Sequence, residues 1–76
     1  MADLLEIRSI IAENLGIEGD KIGPDDEFTS LGADSIAQME LLMAFEEKFG
    51  VSISDDEAKE ITTLNKVAQF IAKKQN

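Results

Sequence analysis

The 76-residue chain contains no cysteine and no histidine. Without cysteine, disulfide staples and thiolate-ligated metals are excluded, and the redox compartment is left open. Without histidine, the commonest general base and the commonest transition-metal ligand are missing. A lone serine hydroxyl is a poor nucleophile, and neither a Ser-His nor a Cys-His pair can be assembled here, so an independent enzyme is not expected. No apolar stretch approaches membrane-spanning length, and the N-terminus lacks the charged start and apolar run of a signal peptide. These absences predict a cytoplasmic protein with no membrane span. Internal repeats and low-complexity tracts are also missing, so a single domain over residues 1–76 is expected. That size is close to the limit below which a hydrophobic core alone no longer suffices.

Acid is lacking only at one end. Residues 18–60 hold thirteen acids against Lys21, Lys48 and Lys59, whereas residues 61–76 hold none and carry Lys66, Lys73 and Lys74. The formal net charge is −9. Such a surface repels phosphate backbones and anionic headgroups, which argues against nucleic acid and membranes as partners, and attracts basic surfaces of other proteins. The same acidity also keeps a small domain in solution. The runs Asp25-Asp26-Glu27 and Asp55-Asp56-Glu57 raise the question of calcium, but neither has the alternating ligand spacing of an EF-hand loop, and no metal site is expected.

Apolar residues recur at helical spacing, and no segment alternates convincingly as a strand. The spacing predicts a first helix from about Asp3 to Leu15, with Asp3 and Glu6 in a capping arrangement and a stripe of Leu4, Ile7, Ile10, Ile11 and Leu15. Gly16 ends it. Residues 16–34 make a long connection, and Ile17, Ile22, Phe28 and Leu31 are spaced to pin it down as an ordered crossover. The second helix is expected from Ser35 to Phe49, stopped by Gly50. Its apolar face is Ile36, Met39, Leu42, Phe45 and Phe49, widened by Leu41 and Met43, with Gln38, Glu40, Glu46 and Glu47 toward solvent. Ser54-x-x-Glu57 is a capping box for a short third helix through about Glu60. Thr62 or Thr63 caps the last helix, which shares Leu64, Val67, Phe70 and Ile71 on one face and places its lysines in the last turn, where they suit the helix dipole. The fold class is all-α, a small bundle of three main helices plus one short helix, with a long ordered loop between the first two.

Leu31-Gly32-Ala33-Asp34-Ser35-Ile36 is the most chemical stretch. A loop ends, an acid precedes a hydroxyl, and a helix follows at once. Ser35-x-x-Gln38 fits a capping box, so Ser35 reads as a helix cap. The same place offers free N–H groups and positive dipole character that favour an attached phosphate.

Beyond these local readings, Phe28-x-x-Leu31-Gly32-x-Asp34-Ser35-Ile36 resembles the core signature of acyl carrier proteins and related thiolation domains. The stretch from Met39 to Phe49 is similar to the helix that follows it in that family, and Glu60-Ile61-Thr62-Thr63-Leu64 to the turn into the family's last helix. The resemblance spans nearly the whole chain. It implies that Ser35, with Asp34 as the adjacent motif residue, accepts 4′-phosphopantetheine from coenzyme A, delivered by a phosphopantetheinyl transferase (a holo-carrier synthase). Acyl groups are then held as thioesters on the arm's thiol, so a chain without cysteine does thiol chemistry as a carrier and not as an enzyme. The implied partners are acyltransferase, ketosynthase, reductase or dehydratase enzymes with basic patches, docking on Glu40, Glu46 and Glu47 around Met43, with the carrier monomeric. Phe28, Met39, Leu42 and Phe45 are candidates for an acyl-chain pocket, and ordinary core packing is the other reading of them.

The resemblance points to fatty-acid or polyketide-type synthesis, and its details divide. Ala37 stands where fatty-acid carriers are often acidic, and Gln38 after it leaves the helix start less negative; Ile36 stands where leucine is commoner, and Ser54 where proline is frequent. Only two residues separate Phe28 from Leu31, a spacing more like polyketide and peptide-synthetase carriers, while the Gly-Ala-Asp-Ser run is more like fatty-acid carriers. A peptidyl or aminoacyl carrier, and a non-carrying acidic helical interaction module, are the alternatives.

Overall fold

α1 (Leu4–Leu15) buries Ile7 and Ile11 completely and Ile10 and Leu15 in part. The computed structural model describes residues 4–75, so the expected cap at Asp3 lies outside the described residues. Leu4 departs from the expected stripe. It is 49% exposed, and Leu4, Leu5 and Glu6 of the first turn are all on the surface, so burial begins at Ile7.

The crossover after α1 is ordered, as its apolar spacing predicts. Ile22 and Phe28 are buried, and Ile17 and Leu31 are partly so. A single 3-10 turn, Gly19–Lys21, lies within it and carries no apolar signature that periodicity could detect. The loop is fastened to the far end of the chain: the Phe28 N–H donates to Thr62 O at 2.9 Å, the Asn65 N–H to Pro24 O at 3.0 Å, and Asn65 Nδ2 to Asp25 Oδ1 at 2.9 Å. Asp26 accepts from Gly23 N at 2.9 Å. These acids therefore serve turn geometry. Among the described residues no group of three or more potential metal-ligating side chains converges.

α2 (Ser35–Phe49) ends at Gly50, whose φ of 64° is the left-handed cap expected there. Its buried face differs from the one the spacing predicts. Leu41 and Phe45 are the fully buried residues, with Ala37, Leu42 and Phe49 partly covered. Ile36 and Met39 are 65% and 58% exposed, and Met43 is 55% exposed. This helix is apolar on nearly every side, so local periodicity leaves the face undetermined. Tertiary packing chooses the Leu41–Phe45 ridge, one turn apart, to meet α1 and the shared core. Lys48 and Glu6 add an exposed α2–α1 ion pair at 3.7 Å, of a kind that contributes at most about 1 kcal/mol.

α3 (Asp55–Ala58) has the expected capping box: the Glu57 N–H donates to Ser54 Oγ at 3.1 Å, and the Ser54 N–H to Glu57 Oε1 at 3.0 Å. That backbone bond is the first cause holding the Glu57 carboxyl below its ordinary value of 4.5, helped by the Ser54 hydroxyl and by Lys74, 3.3 Å away, against some desolvation. Folding thus favours ionised Glu57. Its contribution is complete above pH 4.5 and disappears as the pH falls through the lowered folded value. Melting temperatures of wild type and Glu57→Gln should accordingly differ at neutral pH and converge in acid. Ser54→Ala should cost about 1 kcal/mol by chemical denaturation, the usual loss of an N-cap.

α4 (Leu64–Lys74) is capped by Thr63, the second of the two expected candidates, whose Oγ1 accepts from Lys66 N at 3.2 Å. It turns Leu64, Val67 and Ile71 into the core. The described residues form an all-helical bundle of three longer helices and one short helix, without strands. None of these helices is long and apolar enough to cross a membrane.

Candidate functional site

The segment leading to Ser35 is positioned by an anchored turn. Phe28, buried in the core, accepts from Ala33 N at 3.0 Å and from Leu31 N at 3.1 Å through its carbonyl, so the chain folds back over it. Gly32, at φ 98°, makes that reversal possible. An alanine there would meet nothing within 4 Å, so its cost is purely conformational. Gly32→Ala should destabilise by about 1–2 kcal/mol, the left-handed penalty for an L residue, with no change in helix content below the transition. Ala33 is buried on the far side of the turn.

Asp34, not Ser35, is the helix cap. Its Oδ1 accepts from Ala37 N at 2.8 Å, and its carbonyl accepts from Gln38 N at 2.9 Å. Gln38 does not close a box with Ser35: its Nε2 reaches back to Ala33 O at 3.3 Å. Asp and Ser are comparable caps, and the buried Ala33 fixes the register one residue earlier than the Ser-x-x-Gln spacing suggests. Ser35 is thereby released. It occupies the first helical position, is exposed, and its hydroxyl makes no hydrogen bond to another described residue. The N–H groups of Ser35 and Ile36 likewise have no partner among the described residues, at the positive end of the helix dipole.

Behind the serine, Ile36, Glu40, Met43 and Glu47 are all exposed at helical spacing down one side of α2. Glu46 stands apart from the other expected docking acids. It is half-buried, and its Oε2 accepts from Ile53 N at 2.7 Å. The four pocket candidates separate too. Met39 and Leu42, with Met43, Glu46, Ile53, Asp55 and Ala58, line a shallow groove of about 170 Å³ between α2 and α3. Phe28 and Phe45 are core residues, 2% and 0% exposed. Larger grooves, of about 660 and 540 Å³, lie along α4 and include none of the residues around Ser35.

A free hydroxyl on a rigid edge, without a base, suits modification by another protein. Residues 6–71 match the family model described as "Phosphopantetheine attachment site". The chain belongs to this family. Phosphopantetheine-attachment domains carry a 4′-phosphopantetheine prosthetic group and act as substrate carriers, not catalysts. In fold, the chain is similar to a free-standing peptidyl carrier protein from an uncharacterized Acinetobacter baumannii secondary metabolic pathway. The TM-score is 0.82 and the identity 25%, over 96% of this chain and 91% of that one.

Proposed function

We propose that Ser35 is the residue that takes the 4′-phosphopantetheine arm, and that the chain presents thioester-bound intermediates on it. The observation that carries this reading is the free, exposed Ser35 hydroxyl beside an aspartate that performs the capping in its place. The residues suit the group: two N–H groups at a helix start, without a partner among the described residues, favour a phosphodiester, and the Asp34 carboxylate is engaged by Ala37. Ser35 Oγ bonds to the phosphorus of the pantetheine phosphate as the pyrophosphate P–O bond of coenzyme A breaks and adenosine 3′,5′-bisphosphate leaves. A phosphopantetheinyl transferase supplies the base that takes the serine proton, since the chain has no histidine and the neighbouring Asp34 carboxylate is occupied as the helix cap. When attached, the arm supplies the thiol on which thioesters form.

Glu40, Met43 and Glu47, continuous with Ile36, form the docking face for basic patches of the transferase and of acyltransferase, ketosynthase, reductase or dehydratase partners. The setting is cytoplasmic. The cargo we infer is a short acyl or aminoacyl group of a polyketide-type or peptidyl pathway, in place of a long fatty-acyl chain. Phe45, Leu41 and Ile71 are fully buried in the core, the α2–α3 groove is small and open, and the fold match to a peptidyl carrier supports the same class.

The missing cysteine makes the test simple. After incubation with coenzyme A, magnesium and a broad-specificity transferase, the purified chain should titrate with one thiol per molecule. Ser35→Ala should titrate with none. A wild type that stays thiol-free, or a mutant that gains a thiol, would refute the assignment.

A further inference from the structure

α2 carries two of the chain's three methionines, and Met1 lies outside the described residues. Met39 and Met43 stand one turn apart, at i and i+4, and are 58% and 55% exposed. Neither belongs to the core, to which α2 contributes Leu41 and Phe45. They share the side of the helix that also shows Ile36, Glu40 and Glu47 to solvent. An unbranched thioether adapts to irregular contact surfaces, and it is also open to oxidation where solvent reaches it. The unmodified chain has no cysteine to intercept an oxidant first. Two accessible thioethers therefore sit together where the fold has least need of them.

We propose that Met39 and Met43 form a peroxide-sensitive modification site that sets whether α2 is competent to dock. This inference rests on the carrier reading above, in which Met43 belongs to the docking face. A thioether sulfur attacks one oxygen of hydrogen peroxide, the O–O bond breaks, and after proton transfer the products are a sulfoxide and water. Sulfur is oxidised by two electrons and the peroxide is reduced, so no further co-reactant is required. Each sulfoxide puts a hydrated S–O dipole on what had been apolar surface, and a docking partner has to strip that water without a matching donor. The neighbouring acids are untouched, so charge steering survives while the close apolar contact is lost. A methionine sulfoxide reductase with a thiol reductant returns both thioethers. Oxidation thereby blocks loading of the arm, and reduction restores it.

Hydrogen peroxide added to the unmodified full chain tests this. Fragmentation mass spectrometry should find sulfoxide at both Met39 and Met43, formed within about threefold of the rate in the denatured chain, as exposure requires. The melting temperature should stay close to that of the untreated chain. After the peroxide is removed, kcat/KM for a phosphopantetheinyl transferase should be about tenfold lower, the order expected for taking a methionine contact out of an interface. Added salt should leave that ratio unchanged, and reductase treatment should restore the rate. The Met39→Leu/Met43→Leu variant, whatever its own starting rate, should be indifferent to peroxide although it keeps Met1. Protection of both methionines in the folded chain, unfolding on oxidation, an unchanged kcat/KM, or an equal loss in the double variant would overturn the proposal. Failure of the carrier reading would show separately, as absence of the thiol gained from coenzyme A by the untreated chain.

Discussion

Phe45→Ala is expected to lose about 3–5 kcal/mol of stability, the usual cost of emptying a fully buried phenylalanine site, because Phe45 is 0% exposed at the centre of the core. A domain of this size has roughly 4–11 kcal/mol in total, so the variant should be close to unfolding at room temperature. Met43→Ala, two residues away and 55% exposed, should change stability by no more than about 0.5 kcal/mol. Guanidinium titrations of the two variants read the difference directly. The comparison also bears on cargo. If Phe45→Ala cost only about 1 kcal/mol, the interior would be adaptable enough to part for a long chain, contrary to the short-cargo proposal.

Reversing Glu40 and Glu47 together to lysine should reduce the kcat/KM of a phosphopantetheinyl transferase for the carrier by about tenfold or more at low ionic strength. Each exposed pair contributes at most about 1 kcal/mol, but reversal replaces attraction with repulsion, and about 1.4 kcal/mol is already a factor of ten. Salt should close the gap as it screens exposed charge. Neither side chain makes a hydrogen bond or ion pair among the described residues, so the melting temperature should barely move. A loss independent of salt would point to a folding defect, and no loss at all would place docking on another face.

The parts of this fold that depend on neighbouring residues are legible in the sequence. The Ser54-x-x-Glu57 box, the Thr63 cap and the Gly50 stop are local hydrogen-bond chemistry, and each forms where the residue types require it. The crossover was readable because Ile22 and Phe28 are apolar islands in polar loop. What escaped local reading is set from a distance. Asp34 and Ser35 are both good caps, and the choice between them follows from Phe28 and Ala33 holding the turn. The face of α2 is ambiguous where Ile36, Met39, Leu41, Leu42 and Met43 are all apolar, and only packing against α1 and the core resolves it. Glu46 looked like one more solvated acid, since its bond to Ile53 crosses a loop. Its only local signal is an acid one turn before a left-handed glycine.

For the site itself, the sequence placed Ser35 at the start of α2, and the structure revises its role there. It is the residue freed from capping, with Asp34 taking that task. Of the acids proposed for docking, Glu40 and Glu47 are the exposed ones, and of the proposed pocket residues Met39 and Leu42 line the groove.

The central claim is that Ser35 is the attachment point, and intact-mass analysis with fragmentation tests it most directly. The chain offers Ser9, Ser30, Ser35, Ser52 and Ser54 as competing hydroxyls. After treatment with coenzyme A, magnesium and a broad-specificity transferase, wild type should gain one phosphopantetheine, localised to Ser35. Ser35→Ala should gain none while keeping its stability within about 0.5 kcal/mol, since the hydroxyl holds nothing in the fold. A modification found on any other serine, an equal gain in Ser35→Ala, or no gain in the wild type would contradict the account.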